Sequence, residues 1–193
     1  MGRKLVRWMQ VLGFFLILCG AGIVLQQQLR ANAAVRSAEK TVAAMEAIMP
    51  ERTEGIPDSY TNLAMPVLEV DGEDYIGIVE IPAFGVTLPV GSEWDPSAVR
   101  SRPCRFWGSV NDASLVIGGA DQKGQFDFCD RIDLGAFVTV TDMTGVEFRF
   151  TVTRVDRNKH AQADWLCKDQ YDLTLFARSA TSLEYIAVRC DAA

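Results

Sequence analysis

The residues able to carry nucleophilic chemistry in this 193-residue chain are five cysteines and a single histidine. A cysteine thiolate attacks carbonyl carbon, and a neighbouring imidazole can protonate the leaving group. Because His160 is the only histidine, any imidazole chemistry would have to use it. It lies in a polar segment, residues 157–161, between two predicted strands, where we expect a solvated side chain.

Four cysteines follow the apolar N-terminal run: Cys104, Cys129, Cys167 and Cys190. Two interpretations stay open for them. Outside the cell an even set of four can pair as disulfides, but the spacing does not choose among three connectivities. Buried free thiols fit the sequence equally well. We expect Cys104 in a loop after Pro103 and Cys190 at the end of the last strand.

The remaining polar residues predict neither a metal site nor a cofactor. The carboxylates are scattered, and no His/Cys cluster has metal-ligand spacing. The pair Gly118-Gly119 lacks the Lys-Ser/Thr signature and the helix start that a phosphate loop requires. The charge is also uneven, because residues 1–40 hold six basic residues and one acidic residue in a chain of net charge −6. The acidic remainder would repel phosphate, so we predict no nucleic-acid partner.

Seven runs of β-prone residues predict the strands that must position the polar side chains. They are residues 75–82, 86–90, 115–118, 137–142, 147–152, 172–178 and 185–189. Gly145, in the turn over residues 143–145, connects the fourth and fifth runs as a hairpin. A short helix is expected over residues 95–99, with Asp95 as its cap. Seven or eight short strands with only brief helices predict a mainly β fold, a closed or nearly closed barrel over residues 67–193.

The run over residues 172–178 carries a recognisable motif, Thr174-Leu175-Phe176-Ala177-Arg178. Sortases, the cysteine transpeptidases of Gram-positive cell surfaces, have Thr-Leu-x-Thr-Cys on the corresponding strand. A strand entering Ile81-Pro82, a Leu-Pro-Val strand at residues 88–90 and a Val-Ile-x-Gly-type strand at residues 116–119 follow the family's order. The chain therefore resembles the sortases over about residues 67–190, and among them it is most similar to the class B-like members. The resemblance implies a sortase-like closed β-barrel.

The resemblance also implies three catalytic positions, and this sequence departs from the family at each. Ala120 stands at the histidine position and has no proton to give. Arg178 stands at the cysteine position, and its permanent cation has no nucleophilic form. The arginine position falls among Leu183, Glu184 and Tyr185, none of which is arginine. We therefore predict a degenerate site without transpeptidase activity.

The N-terminal segment predicts a membrane anchor. Residues 8–25 form an 18-residue run without a charge, which is about the minimum for a membrane-spanning helix. Basic residues precede this run, so we expect a cytoplasmic N-terminus and an extracellular C-terminal domain in a single-pass cell-membrane protein. Two alternatives are cleavage after Ala33 and lipidation at Cys19. We divide the chain into an anchor (1–25), a helical stalk and linker (26–66) and the barrel (67–193).

The stalk allows several interpretations. Residues 26–49 favour a helix that Pro50 ends. This helix is expected to be a spacer in solvent, a stalk that raises the domain off the membrane, or a helix that packs on the domain or on a second copy.

Three functions are compatible with these features. The first is a pseudo-sortase that binds a sorting-signal peptide, a surface protein or an active sortase in cell-surface assembly. In this hypothesis Arg178, Asp121 and Glu184 are the binding residues, and Arg178 pairs with Glu184 or with a bound carboxylate. The alternative for these side chains is a solvated position on the barrel rim. The second function is an active cysteine transpeptidase with relocated catalytic residues, and the third is an inert structural ectodomain.

Overall fold

A single sheet closed on itself forms the core of the structure. The computed structural model describes residues 2–54, 64–167 and 171–193, with the side chains of 2–7, 9–12, 27–28 and 30–31 outside this description. The helices are α1 (Gly2–Ile48) and α2 (Ala163–Leu166). The strands are β1 (Thr53–Glu54), β2 (Leu68–Val70), β3 (Glu73–Ile81), β4 (Val86–Gly91), β5 (Cys104–Trp107), β6 (Leu115–Ala120), β7 (Phe137–Asp142), β8 (Val146–Asn158), β9 (Leu173–Arg178) and β10 (Tyr185–Ala192).

Eight of these strands close into a barrel. The order around the ring is β3-β4-β5-β6-β9-β10-β8-β7, and β7 closes it by pairing with both β8 and β3. Strand β9 pairs in parallel with β6 and antiparallel with β10. The short strands β1 and β2 lie outside the ring, on β8 and β3 respectively. The predicted mainly β, closed-barrel fold is therefore confirmed.

The barrel interior follows from the alternation of side chains along each strand. On β9, for example, Leu173, Leu175 and Ala177 belong to the main hydrophobic core together with Leu115 and Ile117 of β6. The intervening side chains of the same strands must therefore point to the outer face of the barrel. The candidate site lies on this outer face.

Two local expectations are wrong. Cys104 does not lie in a loop but begins β5, where it pairs with Gly118. The helix expected over residues 95–99 is a 3₁₀ turn at Ala98–Arg100 instead. The Asp95 carboxylate accepts a hydrogen bond from the Ser97 backbone N–H at 2.7 Å, which forms a tight turn rather than capping a longer helix.

Helix α1 ends at Ile48, before Pro50, and its C-terminal part packs on the barrel. Val42 and Met45 are buried in a cluster with Val70, Tyr75 and Ile78. Where the side chains are described, no helix is long and apolar enough to cross a membrane. The span predicted over residues 8–25 includes four side chains outside that description, and it stays a prediction.

Candidate functional site

Three neighbouring strands carry the positions that sequence analysis singled out. The register pairs Ala120 of β6 with Arg178 of β9, and Arg178 with Tyr185 of β10. Along the outer face these strands form three rows. They are the rim row (Ala120, Arg178, Tyr185), the middle row (Gly118, Phe176, Ala187) and the base row (Val116, Thr174, Arg189). The fold thus places side by side the three positions at which the resemblance implies catalytic residues, if Tyr185 is taken as the third.

Arg178 is exposed and is held in place by its own strand connection. Its Nε donates to the Leu183 carbonyl oxygen at 3.3 Å, and its guanidinium lies 5.8 Å from the centre of the Tyr185 ring. Within the described chain no carboxylate lies within 4 Å of this guanidinium, so the expected Arg178–Glu184 ion pair is not formed. The guanidinium has N–H groups available for an external anion.

The loops on both sides of the rim row are tied together by short polar contacts. The Asp121 carboxylate accepts from the Ala180 backbone N–H at 2.7 Å. The Glu184 carbonyl accepts from the Ser179 N–H at 2.8 Å, which closes the β9–β10 turn. Asp121 therefore holds the turn, and Glu184 joins it through its backbone.

The hydrogen bonds of Ala120 are made by its backbone. Its backbone N–H donates to the Gln125 side-chain oxygen, and its carbonyl accepts from the Phe126 N–H at 3.1 Å. Gln125 is buried and cannot take the place of a titrating acid. Leu183 adopts φ +60°, a left-handed conformation unusual for a bulky residue, and its side chain is exposed.

Three of the five cysteines are unsuited to act as a relocated nucleophile. None of the five forms a disulfide bond, and Cys104, Cys129 and Cys190 are buried. Burial raises the pKa of Cys104, raises the pKa of Cys129 well above its usual value, and raises the pKa of Cys190 to about 12. Such thiols hold almost no thiolate at neutral pH. The described residues contain no group of three side chains able to hold a metal ion.

His160 is exposed, as expected for a solvated histidine. Its backbone N–H donates to the Asn158 side-chain oxygen at 3.1 Å. This contact shapes the end of β8 and does not involve the imidazole.

Aromatic side chains fill the middle row. The rings of Trp94, Phe106 and Phe176 lie 5.4–5.5 Å apart, two of the three pairs edge to face. A side chain at position 118 would overlap both Trp94 and Phe176, so glycine is required there by close approach. Gly119 faces inward, where a side chain would overlap the Phe126 ring, so glycine is required at this position too. The Gly-Gly pair therefore serves packing.

A buried arginine lies at the base row. Arg189 is 0% exposed, and its Nη1 donates to the Leu166 carbonyl at 2.7 Å and to the Thr174 hydroxyl at 2.9 Å. Its Nη2 donates to the Trp165 carbonyl, and its Nε lies 3.4 Å from an Asp156 carboxylate oxygen. Burial lowers the pKa of Arg189, and the Asp156 carboxylate opposes that shift.

The sequence reasoning missed Arg189, Trp94 and Leu166. For Arg189 a signal was present, since alternation from Tyr185 puts residues 187 and 189 on the same face of β10. Nothing in the sequence showed that this face would be covered. Trp94 and Leu166 lie outside the strands and reach the outer face only through tertiary packing.

Comparison with solved structures identifies the architecture. A Clostridium perfringens sortase C solved with the C-terminal cell wall sorting motif aligns at TM-score 0.54 and 17% identity, over 85% of this chain and 89% of that chain. The chain has the sortase fold. Streptococcus agalactiae sortase C1 aligns at TM-score 0.55 and 16% identity, over 65% and 70% of the two chains. Listeria monocytogenes sortase A aligns at TM-score 0.52 and 12% identity, over 62% and 87% of the two chains.

No protein-family model and no curated protein matches the chain. At these identities the likeness to sortases concerns the fold alone, and activity has to be argued from the site. The similarity to class B-like sortases in particular stays a prediction.

Proposed function

We propose that this chain is a membrane-anchored, extracytoplasmic binding protein on the sortase fold that does not catalyse transpeptidation. The observation that carries the proposal is the rim row, where Ala120, Arg178 and Tyr185 stand side by side. Acyl transfer needs a nucleophile, a proton donor and a group that stabilises the oxyanion. Ala120 and Arg178 supply neither of the first two.

The ligand that this rim suits is a peptide with a carboxylate. Arg178 is exposed, has no carboxylate neighbour in the described chain and is steadied by Leu183 and Tyr185. A guanidinium fixed in this way is suited to a planar anion. The sortase C of Clostridium perfringens was solved with a C-terminal cell wall sorting motif, which supports a sorting-signal peptide as the probe. A surface protein or an active sortase would present similar chemistry in cell-surface assembly.

The proposed location rests on the N-terminal segment. The uncharged run over residues 8–25 follows a basic stub, and the charge of the chain beyond residue 40 is acidic. These features support a cytoplasmic N-terminus and a domain outside the cell.

The test combines the full-length protein in detergent micelles with a sorting-signal peptide and an amine nucleophile. We expect mass spectrometry to find neither an acyl-enzyme nor a ligated product, while fluorescence anisotropy detects binding of the labelled peptide. Arg178→Gln should weaken binding by up to about fivefold, the range of an exposed ion pair. The control Arg149→Gln removes the same charge from β8, near the end of that strand that lies away from the rim row. It should leave binding unchanged.

Two results would overturn the proposal. An accumulating acyl-enzyme would establish a relocated catalytic site. Complete absence of binding, to this peptide and to a co-expressed surface protein or sortase, would favour an inert ectodomain.

A further inference from the structure

The outer face of β6, β9 and β10 is covered by a part of the chain that connects β8 to β9. We call residues 161–167, which include α2, the covering segment. Leu166 is 1% exposed and shares a buried cluster with Val116, Phe176 and Ala187 from the outer face. Ala161, Trp165 and Cys167 pack against the same cluster. The segment therefore covers the face together with Trp94 and Phe106, instead of bordering it.

Arg189 binds the main chain of the covering segment, in addition to the packing of the segment's side chains. Arg189 donates to the carbonyl oxygens of two successive residues, Trp165 and Leu166. Its guanidinium also lies 5.2 Å from the Trp165 ring centre and 5.3 Å from that of Tyr171. One arginine thus contacts the segment through two carbonyls and the Trp165 ring, and it contacts Tyr171 beyond the segment as well.

We propose that the covering segment is a built-in occupant of the outer face, fastened there by Arg189, and that it must leave before an external peptide can lie along the middle and base rows. The proposal rests on the proposed function, because it assumes that this face serves a peptide ligand. The class of ligand follows from what occupies the face now. A competing peptide needs a leucine-type side chain for the apolar cluster and free main-chain carbonyls for Arg189.

The chemistry of Arg189 explains why one residue can act as the fastener. A guanidinium presents N–H groups in a fixed fork and can serve two carbonyls at once. An arginine taken out of water is costly unless its N–H groups are satisfied. Arg189 meets this condition only while Trp165 and Leu166 are in place. The closed arrangement therefore stabilises both the segment and the buried charge.

The first measurement is hydrogen exchange followed by mass spectrometry on the full-length protein in detergent micelles. In Arg189→Lys we expect the amides of residues 163–167 to exchange about tenfold faster or more, because hydrogen bonds to a charged group are lost. The amides of β6 and β9 should stay within about twofold of wild type. Arg154→Lys is the matched control, since exposed Arg154 contacts the other oxygen of Asp156 at 2.5 Å. It should change neither region.

Two results of this measurement overturn the proposal. An unchanged covering segment in Arg189→Lys would mean that the arginine does not fasten it. Equal acceleration in the segment and in β6 and β9 would mean that Arg189 stabilises the whole barrel.

Because replacing a fully buried arginine can unfold a protein, the second measurement starts from a variant that keeps Arg189. The double variant Trp165→Ala/Leu166→Ala removes the segment's anchoring side chains. The probe is a fluorescein-labelled peptide with the sequence of residues 159–167, with serine in place of Cys167. Measured by fluorescence anisotropy, this peptide should bind the double variant at least about tenfold more tightly than wild type. The reason is that the covering segment, its intramolecular competitor, is held less strongly in the variant.

Adding Arg189→Lys to the double variant should abolish this gain. Equal affinity for wild type and double variant, or a gain that survives Arg189→Lys, would overturn the proposal. The probe carries the chain's own sequence, so its binding does not depend on any sorting signal. Absence of binding to the sorting-signal peptide and to a co-expressed surface protein or sortase would therefore contradict the proposed function while leaving this result intact.

Discussion

At the rim row, the identity of each side chain decides what the sortase fold can do in this molecule. Arg178 lies between Ala120 and Tyr185, the residues paired with it on the neighbouring strands. Its positive charge is permanent, so it can attract an anion but cannot attack a carbonyl. In the proposed binding protein all three positions of the row differ from the catalytic set, so substituting one of them should not produce activity.

We predict that Arg178→Cys alone remains inactive. A free cysteine has a pKa of about 8.5, so only a small fraction of the new thiol is thiolate near neutral pH. With alanine at position 120 no imidazole protonates the leaving amine, a contribution of roughly 10²–10⁴-fold. A missing oxyanion donor costs roughly a further 10²–10³-fold, although such losses are not additive. The measurement is turnover of a sorting-signal peptide with an amine acceptor.

The comparison for this prediction is the triple variant Ala120→His/Arg178→Cys/Tyr185→Arg, in which we expect product to appear. The register selects Tyr185 for the arginine, because it is the residue paired with position 178. Alkylation by iodoacetamide serves as the control for an accessible thiol. Robust turnover by the single variant would show that another residue already acts as the acid.

At the scale of single elements, the sequence predicted what alternation and turn residues determine. The seven predicted runs correspond to β3, β4, β6, β7, β8, β9 and β10. Strand β5 was missed because it is four residues long and begins directly after Pro103. Strand β8 is 13 residues long, and its charged end, with Arg154, Asp156 and Arg157, resembles a solvated loop in sequence. Burial of Arg189 could not be predicted, because it depends on a segment that returns from another part of the chain.

Helix α1 shows how an element at the edge of the fold becomes part of it. Met45 is 0% exposed and lies in the cluster formed by the helix, β2 and β3, whereas Ile48, one turn further on, is 55% exposed. Arg52, just beyond the helix, forms ion pairs with Glu46 and Glu80 at 2.6 and 2.7 Å. The apolar contact is expected to dominate, since partly exposed ion pairs contribute little.

We predict that Met45→Ala lowers the free energy of unfolding by about 2–5 kcal/mol, as expected for a buried large side chain replaced by alanine. Ile48→Ala is the matched control and should change it by less than about 0.5 kcal/mol. Urea unfolding of the full-length protein in micelles, followed by tryptophan fluorescence, measures both. A negligible effect of Met45→Ala would mean that the helix does not stabilise the barrel.

At the scale of the whole molecule, charge and hydropathy separate the chain into two parts. Residues 1–40 are basic and contain the uncharged run, while the rest of the chain is acidic. An acidic domain does not associate with anionic lipid headgroups. Any hold on a membrane must therefore come from the N-terminal part, either by insertion or by electrostatic attraction. The two differ in their response to salt, because screening weakens attraction between exposed charges and leaves insertion unaffected.

We predict that the protein stays with membranes after a high-salt wash and that its N-terminus lies at or near Met1. The variant Leu16→Arg/Ile17→Arg should release it, because each arginine at the centre of a span costs about 2.5–3.5 kcal/mol. Substituting Arg3 and Lys4 with glutamine removes two charges outside the run and should leave the protein in the membrane fraction. Fractionation with immunoblotting measures retention, and Edman degradation or mass spectrometry gives the terminus. Release by salt, a terminus at Ala34 or a lipid on Cys19 would contradict the proposed anchor. A terminus at Ala34 would also mean that the mature domain has lost the run over residues 8–25.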